Sequence, residues 1–126
     1  MNYAANPYEQ YRQQGVMTAK PIDLVIMLYE GCIKQLKLAK IHINDHSPEK
    51  SNICLKKAQD IVVELLMALD FNYEISNNLM KLYDFMISEI VDINLTKKTE
   101  KIDPVINILQ DLNSAWTQIR NTQHAY

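Results

Sequence analysis

Few residues in this 126-residue chain have types and spacings that could do chemistry. His42 and His46 stand four apart. On a helix that spacing puts two imidazoles on one face, where they could grip a transition metal. Neither has a third ligand in reach along the sequence, and His124 lies far off in the C-terminal tail. A di-iron bundle would need Glu-x-x-His on two helices, and no Glu-x-x-His occurs. Arg120 and His124 fall one residue short of the Arg-x-x-x-x-His of a bundle nuclease. Cys32 and Cys54 are potential nucleophiles. They sit inside apolar helical patterns with no helix N-terminus or cation beside them to favour a thiolate. Both read as small, reduced core residues. Ser47 precedes Pro48 and reads as a helix cap before it reads as a nucleophile. With only Gly15 and Gly31 available, no glycine-rich phosphate loop can be written. The expectation is a protein without metal, cofactor or active site, and not an enzyme.

Charge and hydropathy narrow the class further. Thirteen Lys and Arg against fifteen Asp and Glu leave a net charge of −2, so no basic excess invites nucleic acid. Lys34, Lys37, Lys40, Lys56 and Lys57 read as solvated faces. The longest apolar stretches, such as Ile61 to Leu69, are too short to insert in a membrane. Met1 to Gln14 lacks the apolar run of a secretion signal. A cytoplasmic soluble domain is expected.

The elements that must position these residues are helical. Pro21 with Asp23, Ser47-Pro48-Glu49 and Asp103-Pro104 are three helix starts, and Asn72 offers a softer one before Tyr73-Glu74. The pattern predicts helices at about 21–44, 48–69, 74–94 and 104–121. Their short connections make sequential helices antiparallel. Core seams are expected through Ile22, Ile26, Tyr29, Ile33 and Leu36; through Ile75, Leu79, Leu82, Met86, Ile90 and Ile93; and through Val105, Leu109, Leu112, Trp116 and Ile119. The fold class is therefore all-α: an antiparallel four-helix bundle over residues 19–126. Residues 1–18 form a short N-terminal helical cap carrying Tyr8 and Tyr11, with Gly15 as a hinge. Gly31, inside the first helix, suggests another backbone approaching closely.

The apolar residues exceed what such a core requires. Beside Cys54, Ala58, Ile61, Leu65 and Ala68, the second helix carries Leu55, Val62, Leu66 and Leu69 about a quarter turn away. The third adds Met80, Ile87 and Val91. The first is apolar nearly all round at Leu24, Met27 and Leu28, where core packing and exposure are both open. A bundle helix needs a stripe little wider than about 100°. The second stripes, Leu55, Val62, Leu66 and Leu69 with Met80, Ile87 and Val91, are expected to line one groove for an amphipathic segment of a partner. The same surplus could instead build a helical homo-oligomer.

The ordered motifs resemble a known family. Asn6-Pro7-Tyr8-Glu9-Gln10-Tyr11 is similar to the N-P-Y-x-x-Y opening of the flagellin export chaperones, the FliS family. Thr18-Ala19-Lys20-Pro21-Ile22-Asp23-Leu24 resembles their T-A-S-P-x-E-L, and Met27-Leu28-Tyr29-Glu30-Gly31 their M-L-Y-D-G. Leu69-Asp70, Asn78-Leu79 through Leu82-Tyr83-Asp84-Phe85-Met86, and Ala115-Trp116 continue the match. Lys20 departs by replacing a capping serine, and Tyr73-Glu74-Ile75 by standing where glycines are frequent. The resemblance implies a four-helix bundle that binds the disordered C-terminal segment of flagellin. It implies that binding prevents premature polymerisation and serves delivery to an export-gate component of the flagellar type III apparatus. It also implies that the Tyr8/Tyr11 cap rearranges when the client binds. A monomer or weak homodimer without cofactor is expected.

Overall fold

The computed structural model describes residues 18–124. Four helices run through them: α1 (Ile22–Asn44), α2 (Pro48–Met67), α3 (Ile75–Thr96) and α4 (Ile102–His124). A 3-10 turn, Thr99–Lys101, leads into α4. The all-α bundle expected from the apolar spacing is present. The cap residues Tyr8 and Tyr11 and the hinge Gly15 lie outside the described residues.

Local chemistry sets each boundary, though not always as the motifs suggest. Pro21 caps α1 from an extended conformation, and its carbonyl accepts the Val25 amide at 3.1 Å. Ser47 stands at the cap of α2, but its hydroxyl makes no capping bond. Buried Ser51 instead donates its Oγ to the Pro48 carbonyl at 2.9 Å. Before α3, Asn72 is not the cap. Its amide donates to Asp70 Oδ1 at 3.0 Å, and Ser76 Oγ donates to the Asp70 carbonyl at 2.6 Å. These bonds close the turn that Asp70 begins. In α4 the proline stands two residues inside the helix, because the 3-10 turn starts the winding before Asp103. Proline is tolerated there, since first-turn amides lack intrahelical partners. Lys97 ends α3 at φ 57°, in the left-handed slot glycine usually fills.

Helix α1 packs closely on α2 and α4, and α2 on α3, whereas α3 and α4 meet sparsely. The order around the bundle is α4, α1, α2, α3. The core gathers Tyr29, Leu36, Leu55, Val62, Tyr83, Met86, Ile90, Ile102, Leu109 and Trp116. At its centre the hydroxyls of Tyr29 and Tyr83 share a 2.5 Å hydrogen bond across the bundle. Their rings are tilted by 51° with centroids 6.5 Å apart. Burial without this bond would leave two hydroxyls unsatisfied, each at a cost of about 1–3 kcal/mol.

The expected α3 seam turns slightly. Tyr83 goes inward and Ile75 is exposed. Ile75 is the first residue of the helix, while the tyrosine finds a polar partner inside in Tyr29. Gly31 is corrected too. Among the described residues a Cβ there would meet only Ile61 Cδ1, at 3.7 Å. That neighbour is a side-chain end on α2 at ordinary van der Waals distance, and no backbone of the described residues crowds the site.

Candidate functional site

Two of the seven expected groove residues belong to the core. Leu55 and Val62 are 0% exposed. The reason is the position of α2. Covered by α1 on one side and α3 on the other, it needs an apolar arc wider than a two-partner seam would show, and both of its stripes are used. The second stripe emerges only at its end, where Leu66 and Leu69 are half-buried against the core. On α3, Met80 and Ile87 are half-buried and Val91 is 38% exposed.

These five residues follow the α2–α3 seam, and the structure extends them at both ends. At one end lie Met67, 80% exposed, and Phe71 and Ile75, both about half-exposed. Of the three residues left open at the start of α1, Leu24 and Met27 are exposed at this end, while Leu28 packs half-buried against the core. At the other end a cleft of about 480 Å³ is lined by Asn52, Lys56, Gln59, Val91, Asn94 and Leu95. Leu95 is 79% exposed. Met67, Phe71 and Leu95 were not singled out in the sequence. Met67 and Leu95 lie off the seams of their helices, and that offset was the available signal. Phe71 lies in a turn, where periodicity has nothing to say.

The chain leading into α1 joins the body at this face. Thr18 forms an isolated antiparallel bridge with Leu69, and the Ala19 amide donates to the Ala68 carbonyl at 2.8 Å. Lys20 Nζ stands 3.3 Å from Glu64 Oε1.

The residues read for chemistry are placed as structure rather than as a site. Cys32 is fully buried, with its Sγ 3.6 Å from the Ala58 carbonyl, and burial pushes its thiol up to about 12. Cys54 is buried and free. Trp116 is a core residue, as its seam position predicts. His42 is in the last turn of α1, and His46 follows the helix at φ 55°. Among the described residues no three His, Cys, Asp or Glu side chains gather as a metal group. A larger cleft of about 550 Å³ lies beside the α1–α2 turn, lined by residues including His46, Ser47, Ser51, Lys97 and Thr99. Two of its polar groups are held internally: Ser51 bonds Pro48, and Lys97 Nζ donates to Asn52 and to Asn94 Oδ1. No described helix is long and apolar enough to cross a membrane.

Comparison with known proteins supplies the family. The model of the flagellar protein FliS matches residues 4–123. The chain belongs to the FliS family. The FliS flagellar secretion chaperone of Bacillus subtilis is 38% identical over 113 residues, covering 90% of this chain and 85% of its own. That of Salmonella typhimurium is 32% identical over 124 residues, with 93% and 92% covered. A crystal structure of a bacterial flagellar chaperone superposes with a TM-score of 0.76 at 26% identity, covering 94% of this chain and 98% of that one. Membership of the FliS family makes this chain a flagellar secretion chaperone, and the all-α bundle is the fold it shares with its structural neighbour.

Proposed function

We propose that this FliS-family chain holds the disordered C-terminal segment of flagellin on the α2–α3 face. The observation that carries the reading is a continuous run of half-buried and exposed apolar residues in a secretion-chaperone bundle: Leu66, Leu69, Met80, Ile87 and Val91, extended by Met67 and Phe71. Flagellin polymerises through amphipathic terminal helices, so an apolar seam that takes up their apolar side keeps the subunit from assembling. Coupled folding of such a segment buries on the order of 1,000–3,000 Å² and spends several kcal/mol on ordering. A seam along two helices supplies area of that scale. The complex forms in the bacterial cytoplasm and passes to an export-gate component, where competition for the client releases it without ATP. Residues 1–18 serve as the cap that gives way to the client, with Tyr8 and Tyr11 as its aromatic residues and Gly15 as the joint. The bridge of Thr18 to Leu69 brings the chain to this face and supports that role. The chain works without metal or cofactor and catalyses no reaction.

The test is a titration of the purified chain with the C-terminal segment of its own bacterium's flagellin. A one-to-one complex is expected, seen by light scattering as a monomer becoming a heterodimer. Leu66→Asp and Ile87→Asp should each weaken binding by about tenfold or more, as burial of a carboxylate against an apolar partner requires, with the helical circular dichroism unchanged. Absence of binding up to tens of micromolar sinks the proposal. A stable homodimer through the same face would favour the structural alternative.

A further inference from the structure

The methionines of this chain differ sharply in their exposure. Met1 and Met17 lie outside the described residues. Met86 is fully buried in the core. Met80 is half-buried on α3, Met27 is 64% exposed at the start of α1, and Met67 is 80% exposed at the last position of α2. Met67 is thus the most open of the described methionines, and it stands within the apolar run of Leu66, Leu69 and Phe71. The fold gains little from it, since a side chain four-fifths in water adds little burial. Its unbranched thioether instead suits an apolar surface that must adapt to a partner.

Exposure also opens the sulfur to oxidants. With a peroxide, the sulfur lone pair attacks one oxygen of the O–O bond. That bond breaks, the sulfur is oxidised by two electrons to the sulfoxide, and the other oxygen leaves as water or an alcohol. The product is polar, and reductases specific for each sulfur configuration reverse it. In the reverse step two thiols are oxidised to a disulfide and the sulfoxide oxygen leaves as water. On the free chain the sulfoxide stays in water and disturbs little. Under an apolar partner its oxygen would be buried without a donor, which is costly.

We infer that Met67 is a peroxide-sensitive modification site that turns client holding down. This rests on the client reading above and adds regulation to it. Oxidation leaves the bundle folded but sets a polar group in the α2–α3 face. The client is then held less tightly until the thioether is restored.

The experiment treats the chaperone alone with hydrogen peroxide and removes the peroxide with catalase. The product is mapped by mass spectrometry and titrated with the synthetic C-terminal segment of flagellin. Each chain is compared with itself before and after treatment. Wild type should gain an oxygen at Met67 ahead of Met80 and Met86, lose about tenfold in affinity and keep its helical circular dichroism. Methionine sulfoxide reductases should restore both mass and affinity. Treatment should change Met67→Leu little, whatever its starting affinity, and should weaken Met27→Leu as much as wild type. Met67→Gln, which puts a polar group at the same place, should bind about tenfold more weakly without peroxide. A wild type that carries the sulfoxide at Met67 and binds as before overturns the inference, as does a Met67 that stays reduced while Met80 is converted. Equal losses in treated Met67→Leu and treated wild type place the sensitivity elsewhere and overturn it too. Should treatment unfold the wild type, Met67→Gln decides: weaker binding with the fold intact supports the site, and unaltered binding overturns it. Failure of the untreated wild type to bind removes the client reading and this inference with it, whereas binding that ignores peroxide removes this inference alone.

Discussion

Tyr29 and Tyr83 satisfy each other's hydroxyls in the middle of an otherwise apolar core, and single substitutions there should be worse than the double. Tyr83→Phe leaves the Tyr29 hydroxyl buried with its partner gone, at a cost of about 1–3 kcal/mol. Tyr29→Phe with Tyr83→Phe removes both polar groups, and denaturant unfolding should find the double variant closer to wild type than the sum of the singles. Gly31 makes the opposite kind of prediction. Its surroundings have room for a methyl group, with Ile61 Cδ1 at 3.7 Å. Glycine in a helix interior costs about 1 kcal/mol against alanine, so Gly31→Ala should raise stability by about that amount without loss of fold. Tyr29 was legible as a core residue from helical spacing, whereas Tyr83 lay off the expected seam, which ran through Leu82. Their pairing was not legible, because it joins residues 54 apart in sequence.

At the scale of the element, the caps and the second helix carry the lessons. Sequence grammar placed Ser47 at the N-cap of α2, which is its position, but the hydroxyl is not used. Ser47→Ala should therefore change stability by about 0.5 kcal/mol or less, in place of the roughly 1 kcal/mol of a working cap. Ser51→Ala should cost more, because its buried Oγ holds the Pro48 carbonyl. Leu55 and Leu66 separate the two uses of α2 in the same way. Leu55→Ala empties core volume and should cost about 2–5 kcal/mol. Leu66→Ala, at the half-buried end of the stripe, should cost less and show its effect in client titration. Periodicity revealed both stripes of α2. It could not say which would be covered, since that depends on α3 lying alongside.

For the whole molecule, the buried acids set an alkaline limit. Burial pushes the thiol of Cys32 up from 9.0 to about 12. Burial also raises the hydroxyls of Tyr29 and Tyr83 above 10.0; the bond to Tyr83 partly offsets the rise at Tyr29. In each case the folded state keeps a proton that the unfolded chain releases. The stability these groups confer is complete below about pH 9 and falls as pH rises, first through the thiol range and then through that of the tyrosines. Each group adds a slope of up to about 1.4 kcal/mol per pH unit. Urea midpoints measured from pH 7 to 11 should be flat at first and then drop, and Cys32→Ala should flatten the earliest part of the drop. A midpoint that stays level to pH 11 would contradict this burial.

The residues by themselves determined the helices, their antiparallel order and the family. Those follow from local signals: proline-led starts, apolar spacing at three and four, and motifs in a particular sequence. Only the tertiary structure decided which apolar residues face a neighbour. Leu55 and Val62 went inward because α2 is flanked on both sides, while Met67, Phe71 and Leu95 stayed out where no described helix covers them. The same holds for the polar atoms. Whether Ser47 or Tyr83 finds a partner depends on what another segment brings within hydrogen-bond reach, and no spacing along one helix contains that distance.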